Sequence, residues 1–243
     1  MARENRGWGY DRMVGALANL GYEGSDQTVG NVLARYGILP APKRKHTTTW
    51  AEFIRAHLAV LVGTDLFSVE VPTLRGLVTF YVLFLLHLES RGVEITGITK
   101  HPYERWMKQI APNITMERWG FLNQCRYLIH DRDAKYTDSF RVIIATGHVK
   151  PITLPARSPN LNAYGERWIR SVKEEVLSKL ILFGEGSLRR ALREYVTHFH
   201  TERNHQGKGN VLLFPRAETS HTKPIQCRER LGGLLHYCYR EAA

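Results

Sequence analysis

The stretch Arg126-Tyr-Leu-Ile-His-Asp131-Arg-Asp133-Ala-Lys-Tyr136 decides how the rest of the chain is interpreted. An apolar run ends there in His130 and is followed at once by two acids, Asp131 and Asp133. In α/β proteins, carboxylates at the end of a buried strand lie at the edge of the sheet, where metals and ligands are commonly held. The pattern therefore predicts a strand that carries negative charge to a binding site.

Two further acids occupy comparable positions. Asp65 follows the largely apolar run Leu58–Thr64, and Glu166 lies near the start of a helix. Three carboxylates in one place repel one another unless a cation lies among them, and oxygen ligands suit Mg²⁺ or Mn²⁺. We hypothesise that Asp65, Asp131 and Glu166 form one metal site. The alternative is that each acts locally, as a turn residue or by favouring the helix dipole.

The apolar runs predict five strands. Ser90-Arg-Gly92 forms a tight turn between the second and third strands, which are therefore expected to be antiparallel. The second run is apolar throughout, which is typical of a central strand covered on both faces. The predicted strands are Ala59–Phe67, Leu77–Leu88, Val93–Ile98, Arg126–His130 and Val149–Thr153.

Helices alternate with the later strands, so the sequence predicts an α/β fold with a mixed five-stranded sheet and helices on both faces. From Gly207 the chain has little pattern, although Val211–Phe214 and Leu234–Tyr239 could pair as short strands. The expected helices run from Pro102 to about Trp119, over Ser139–Ala145, from the loop after Pro155 to about Leu180, and over Ser187–Glu202, with Gly184-Glu-Gly186 as a break.

Residues 1–39 are expected to form a separate pair of short helices. Met13, Leu17 and Leu20 have helical spacing before Gly21, and a second helix is capped by Ser25 or Asp26 and followed by Gly37. This fits a helix-turn-helix DNA-binding segment or a plain helical hairpin. The predicted organisation is 1–39 for this unit, 40–48 for a Pro- and Lys-containing linker, 49–206 for the core and 207–243 for the tail.

Charge and cysteine content narrow the classes of function. The net charge is +11, which suits a polyanionic partner such as nucleic acid, although it could serve solubility alone. The three cysteines form no CxxC pair, which argues against a disulfide framework or a structural zinc site and favours a reducing cytosol. The start of the sequence contains no apolar signal segment, and Val78–Leu88 is too short to cross a bilayer, so we expect a soluble, cytoplasmic protein.

Residues 50–210 resemble the catalytic core of the retroviral integrase superfamily, in the branch of bacterial insertion-sequence transposases. The second and third acids are separated by 166 − 131 = 35 positions, close to the spacing in that family. The resemblance rests on four motifs in order: Gly63-Thr-Asp65, His130-Asp131-Arg-Asp133-Ala-Lys-Tyr136, Ser158-Pro-Asn-Leu-Asn-Ala-Tyr-Gly-Glu166-Arg and His198-Phe-His-Thr-Glu-Arg-Asn204-His205.

This resemblance implies an RNase H-like fold and a D-D-E triad of Asp65, Asp131 and Glu166. It implies DNA cleavage and strand transfer with Mg²⁺ or Mn²⁺, two ions being expected, by a homo-oligomer bound to element ends and target DNA. The protein would then be associated with the bacterial nucleoid. Many relatives have Gly at the position of Asp133, which could instead support Asp131 or replace it as the ligand.

Basic and amide side chains near the acids are the expected DNA contacts. Arg170 and Lys173 follow Glu166 by four and seven positions and so share its helix face, which could otherwise be merely solvated. Asn160 and Asn162 could contact DNA or cap the helix, and Lys135 could reach a phosphate.

Other residues leave alternatives open. The histidines of His198-Phe-His200 and His205 are expected to pack rather than bind zinc, and His130 is expected to be structural. Arg203 and Asn204 have no role that the sequence defines. The rival functions are a nuclease of the same fold that does not join strands, and a truncated, transposition-defective copy that only binds DNA.

Overall fold

The computed structural model describes residues 1–5, 7–39, 50–155, 162–215 and 223–240. The chain divides into two compact units, Met1–Phe53 and Ile54–Ala243. The expected linker and the candidate DNA contact Asn160 lie outside the described residues. No helix within the described ranges is long and apolar enough to cross a membrane.

Within its described residues up to Leu39, the first unit contains two short helices, α1 (Tyr10–Ala18) and α2 (Asp26–Arg35). Ser25 caps α2 by accepting a hydrogen bond from the backbone N–H of Thr28 at 3.3 Å. Gly21 and Gly37 follow the two helices with φ of 84° and 65°, a left-handed conformation that glycine adopts without strain. The two glycines therefore stop the helices as predicted, although α1 itself ends at Ala18 and does not include Leu20.

The core of this unit is small. Met13, Val29 and Leu33 are buried, because residues four apart on α2 share one face. Leu20, which has the spacing of an inner-face residue, is exposed, and so are Val32 and Tyr36.

The second unit is built on a five-stranded sheet with the order β3-β2-β1-β4-β5. β1, β2 and β3 are antiparallel, and β4 and β5 run parallel to β1. This connectivity is that of an RNase H-like fold, so the predicted mixed α/β sheet is confirmed. The strands are β1 (Leu61–Thr73), β2 (Gly76–His87), β3 (Val93–Thr99), β4 (Tyr127–His130) and β5 (Lys150–Thr153).

Helices cover both faces of the sheet. Leu83 and Leu85 of β2 join a core with Met107 and Phe140 of the helices on one face. Phe84, between them, points the other way, and its ring lies 4.4 Å from that of Trp168. β2 is therefore apolar on both faces, as its unbroken hydrophobic run predicted.

The helices begin and end where local packing allows. The helix after β3 ends at Thr115 instead of Trp119, because the chain turns back and the N–H of Leu122 donates to the carbonyl of Ile114 at 3.0 Å. Gly184-Glu-Gly186 opens the last helix instead of breaking the chain before it. The bounds are α3 (Trp50–His57), α4 (Glu104–Thr115), α5 (Asp138–Thr146), α6 (Ala163–Val172), a π-helical turn (Lys173–Leu177) and α7 (Gly184–Thr201).

The C-terminal region forms a hairpin of β6 (Gln226–Arg230) and β7 (Leu235–Tyr239). The pairing of β7 with Val211–Phe214 was therefore wrong, and Val211 instead bridges to His205. Cys227 and Cys238 face each other and form a disulfide, which corrects the expectation drawn from cysteine spacing. β6 escaped detection because its sequence, Gln-Cys-Arg-Glu-Arg, is polar and largely exposed.

Candidate active site

The first two acids lie at matching positions on neighbouring strands. β1 and β4 are parallel, with Gly63 opposite Ile129, an offset of 129 − 63 = 66 positions. The same offset takes Asp65 to Asp131, since 65 + 66 = 131, immediately after β4 ends at His130. In-register residues of parallel strands point to the same face of a sheet, so both carboxylates are directed to one region.

Asp65 carries negative charge in an environment that does not favour it. Partial burial raises the pKa of Asp65 to about 6, against a hydrogen bond that Oδ1 accepts from the N–H of Leu66 at 2.7 Å. The charges of Asp131, Glu166 and Asp133 raise this pKa further. The four carboxylates therefore share one electrostatic neighbourhood, which includes the three acids predicted from the sequence.

Asp131 and Asp133 are bound differently. Asp131 accepts one hydrogen bond on Oδ1, from the N–H of Asp133 at 3.0 Å. Asp133 uses both oxygens on Lys135, whose N–H donates to Oδ1 at 2.9 Å and whose Nζ lies 2.6 Å from Oδ2. Burial raises the pKa of Asp133, but the hydrogen bonds and charge of Lys135 lower it overall. Asp131 is therefore the less engaged of the two carboxylates.

Glu166 is exposed in the first turn of α6, close to β1. Asn162, just before the helix, donates from Nδ2 to the carbonyl of Thr64 at 3.5 Å. A Cβ placed on Gly63 or on Gly165 would lie 2.9 Å from Oδ1 of Asn162. The two glycines therefore allow α6 to approach β1, and the Asn162 side chain links the Glu166 helix to the strand that carries Asp65. This linking role was missed from the sequence, although the two glycines hinted at a close approach.

A buried polar layer supports the strand ends. His130 is 1% exposed, its Nδ1 donates to the carbonyl of Asp131 at 2.7 Å, and its Nε2 lies 3.3 Å from the hydroxyl of Thr153. Burial lowers the pKa of His130 and raises that of Tyr136, whose hydroxyl is 3.5 Å from that of Thr64. His130 is thus occupied by the protein itself, as expected of a structural histidine.

The predicted DNA-contacting cations differ in their availability. Arg170 and Lys173 are exposed, and Lys173 opens the π-helical turn, a feature common near functional sites. The Nζ of Lys173 also lies 5.9 Å from the centre of the Phe67 ring. Lys135 is engaged by Asp133, so a phosphate would have to compete for it.

The donor set of this site consists of carboxylate oxygens, the ligands that Mg²⁺ and Mn²⁺ prefer. Within the described part of the chain, no three His, Cys, Asp or Glu side chains are close enough to form a ready metal cage. Mutual repulsion keeps unneutralised carboxylates apart, and the raised pKa of Asp65 reflects that repulsion together with burial. The residues present fit a divalent cation, provided that the side chains move together around it.

The three C-terminal histidines each have a partner in the protein. His198 Nδ1 lies 3.3 Å from Glu202, and His205 Nε2 donates to the carbonyl of Phe199 at 2.7 Å. His200 Nε2 accepts from the N–H of Val93 at 2.9 Å. The packing that was expected of these histidines is therefore observed.

Comparisons with known proteins give structural neighbours only. No protein-family profile matches the chain, and no curated protein resembles it significantly in sequence. Among solved structures, the magnesium-bound HTLV-2 integrase catalytic core in its dimeric form is 11% identical with a TM-score of 0.45, over 58% of this chain and 86% of that one. The BIV integrase catalytic core is 13% identical with a TM-score of 0.43, over 61% and 88% of the two chains. Similarity at this level is too low to assign an activity.

Proposed function

We propose that the chain is a divalent-metal-dependent DNA strand transferase of the transposase or integrase type. Asp65, Asp131 and Glu166 hold Mg²⁺ or Mn²⁺, with two ions in the complete site. The observation that carries the proposal is the alignment of Asp65 with Asp131 on adjacent parallel strands, since that alignment turns two distant acids into one site. Within the described ranges, none of the three acids is in an ion pair with a lysine, arginine or histidine, so their charge is left for a cation.

Each group of residues at the site has its own role in the proposed reaction. Bound ions would activate a water or a terminal hydroxyl and stabilise the leaving oxygen of a phosphodiester. Asn162 holds the start of α6 against β1, which places Glu166 beside Asp65. Arg170 on α6 and Lys173 in the π-helical turn that follows are both exposed and would neutralise DNA phosphates.

The wider assembly is part of the same proposal. The two-helix unit of residues 1–39 would bind DNA as a helix-turn-helix, and the net charge of +11 suits a polyanion. The partners would be element ends and target DNA, bound by a homo-oligomer in the bacterial cytoplasm. Lys135, Asn160 and Asn162 remain proposed secondary contacts with DNA.

The test is cleavage and joining of the DNA that flanks the element, with Mg²⁺, Mn²⁺ or EDTA. We expect metal-dependent nicking at the element ends and joined products with target DNA, both lost in Asp131→Asn. Nicking without joined products would instead indicate the rival nuclease. Binding of the ends without nicking in either metal would indicate a DNA-binding protein and overturn the proposed activity.

A further inference from the structure

A second site lies on another flank of α6. A cavity of about 590 Å³ is bounded by the β2–β3 turn, by α6 and by the segment that follows α7. Among the described residues that line it, four have cationic side chains and none has an acidic one: Arg91, Arg167, Arg203 and Lys208. A concave surface with one sign of charge focuses the field and attracts ions of the opposite sign.

Arg91 is the central residue of this cavity. It lies in the β2–β3 turn with φ of 64°, a left-handed conformation that is uncommon outside glycine. Its guanidinium carbon lies 3.2 Å from the centre of the Tyr164 ring, so the charged group contacts α6 through a cation–π interaction. Its Nη1 is buried and has no hydrogen-bond partner in the described part of the protein. A buried guanidinium nitrogen without a partner is costly, and an acceptor oxygen, such as one of a phosphate, would relieve that cost.

The other cations are only partly compensated by the protein. Arg203 pairs with Glu175 at 2.7 Å, and the Nζ of Lys208 donates to the carbonyl of Glu89 at 2.9 Å. The guanidinium carbon of Arg167 lies 6.0 Å from the Tyr164 ring, and no ion pair of Arg167 occurs among the described residues. The cavity therefore keeps excess positive charge.

The position of Arg167 links the cavity to the acids. Arg167 directly follows Glu166, and successive helix residues point about 100° apart, so the acid and the cavity lie on neighbouring flanks of one turn. A nucleic-acid strand that passes Glu166 can therefore continue across α6 toward Arg167 and Arg91. Guanidinium groups match phosphate through paired hydrogen bonds.

We propose that this basic cavity binds a phosphate group of the DNA strand, as a positioning subsite beside the metal site. The proposal deepens the proposed function and rests on it for the source of the phosphate. It also gives Arg203 a place in the molecule, which the sequence alone did not.

The test measures the affinity of the full chain for a labelled duplex of random sequence over a series of salt concentrations. Arg91→Gln and, separately, Arg167→Gln should raise Kd about tenfold and lower the slope of log K against log salt by about 1. Arg75→Gln, at the exposed β1–β2 turn, is the matched control and should change neither. Circular dichroism reports whether each variant is folded. If Arg91→Gln does not fold, the result for Arg167→Gln decides the question, because Arg167 is exposed and its replacement should not disturb the fold.

A second arm separates DNA from a small anion. Inorganic phosphate and pyrophosphate are added to wild type and to Arg167→Gln while thermal unfolding is followed. Unchanged salt slopes in both cavity variants would overturn the proposal. If, in that case, inorganic phosphate raised the unfolding temperature of wild type and not that of Arg167→Gln, the cavity would be a small-anion site. All binding is measured in EDTA, so an inactive metal site would leave these results unaffected.

Discussion

Two regions of the second unit contain carboxylates that are buried or partly buried, and the pKa values of these carboxylates are shifted in opposite directions. Glu202, at the end of α7, has a side chain that is 2% exposed, and Arg230 of the hairpin contacts both of its oxygens, at 2.6 and 2.7 Å. Burial acts to raise the pKa of Glu202, but the hydrogen bonds and charge of Arg230, aided by His198, lower it overall. Asp65 accepts a backbone hydrogen bond from Leu66, and burial together with the charges of neighbouring acids raises its pKa to about 6.

The contrast separates a structural carboxylate from one that needs an outside partner. A buried charge that serves the fold is neutralised by the protein, because an unpaired one would be too costly. Asp65 lacks such a partner in the described residues, and its neighbours add negative charge. The charge of Asp65 therefore lowers the stability of the fold, and a divalent cation bound there would remove this penalty. Such destabilised charges are common at functional sites.

Breaking the Glu202 pair should have the largest effect on stability. Glu202→Gln leaves Arg230 with Glu194 alone, at 2.5 Å, and should lower the free energy of unfolding by about 3 kcal/mol. Urea unfolding at pH 7 measures the change. Glu185→Gln is the control, because its pair with Arg189 on the same helix is exposed and should contribute about 0.5 kcal/mol or less. A loss below about 1 kcal/mol for Glu202→Gln would mean that the pair is not structural.

Replacing a proposed ligand should do the reverse, removing activity and sparing stability. Asp131→Asn should slow metal-dependent cleavage by about a hundredfold, equivalent to about 2.7 kcal/mol, because it removes a ligand charge. Asp133→Asn is the control and should retain most activity, since both oxygens of Asp133 are occupied by Lys135. If Asp133→Asn were the inactive variant, the ligand would be Asp133.

The pH dependence of unfolding in EDTA should reveal the cost at Asp65. The folded pKa of about 6 lies above the ordinary 3.8, so the folded state binds more protons between these values. Stability should therefore fall as pH rises from about 4 to about 6 and level off above, by roughly 2 kcal/mol after allowing for solvent screening. Asp65→Asn should lose this component, and an identical profile in the variant would contradict the assignment.

The strands of the sheet and the three proposed ligand acids could be predicted from the sequence. Apolar runs bounded by turn residues predicted the strands of the sheet, most clearly β2, because burial on both faces leaves little room for polar residues. The two strand acids were found for the same reason, since each follows such a run. Glu166 needed the family spacing as well, because nothing near a helix start distinguishes a ligand from a cap.

The C-terminal hairpin, its disulfide and the buried ion pair could not be predicted, because they depend on contacts between distant segments. β6 is polar, and its pairing with β7 brings Cys227 opposite Cys238, which cysteine spacing alone did not reveal. The Glu202–Arg230 pair joins residues 28 positions apart. Periodicity describes one element at a time, so a bond or cavity made by several elements leaves no local pattern.

The smallest expected effect concerns Asp133. It tests whether this carboxylate is neutralised by a cationic side chain, as Glu202 is, or is left without one, as Asp65 is. The Asp133–Lys135 pair is short, at 2.6 Å, but its side chains are 31% and 28% exposed. A double-mutant cycle with Asp133→Asn and Lys135→Met should therefore give a coupling of about 1 kcal/mol or less at pH 7. Because the pKa of Asp133 is lowered, this coupling should be present above pH 3.8 and vanish as pH falls below it. A coupling near 3 kcal/mol would instead make the pair a structural one like Glu202–Arg230, and Lys135 would then be unavailable to DNA.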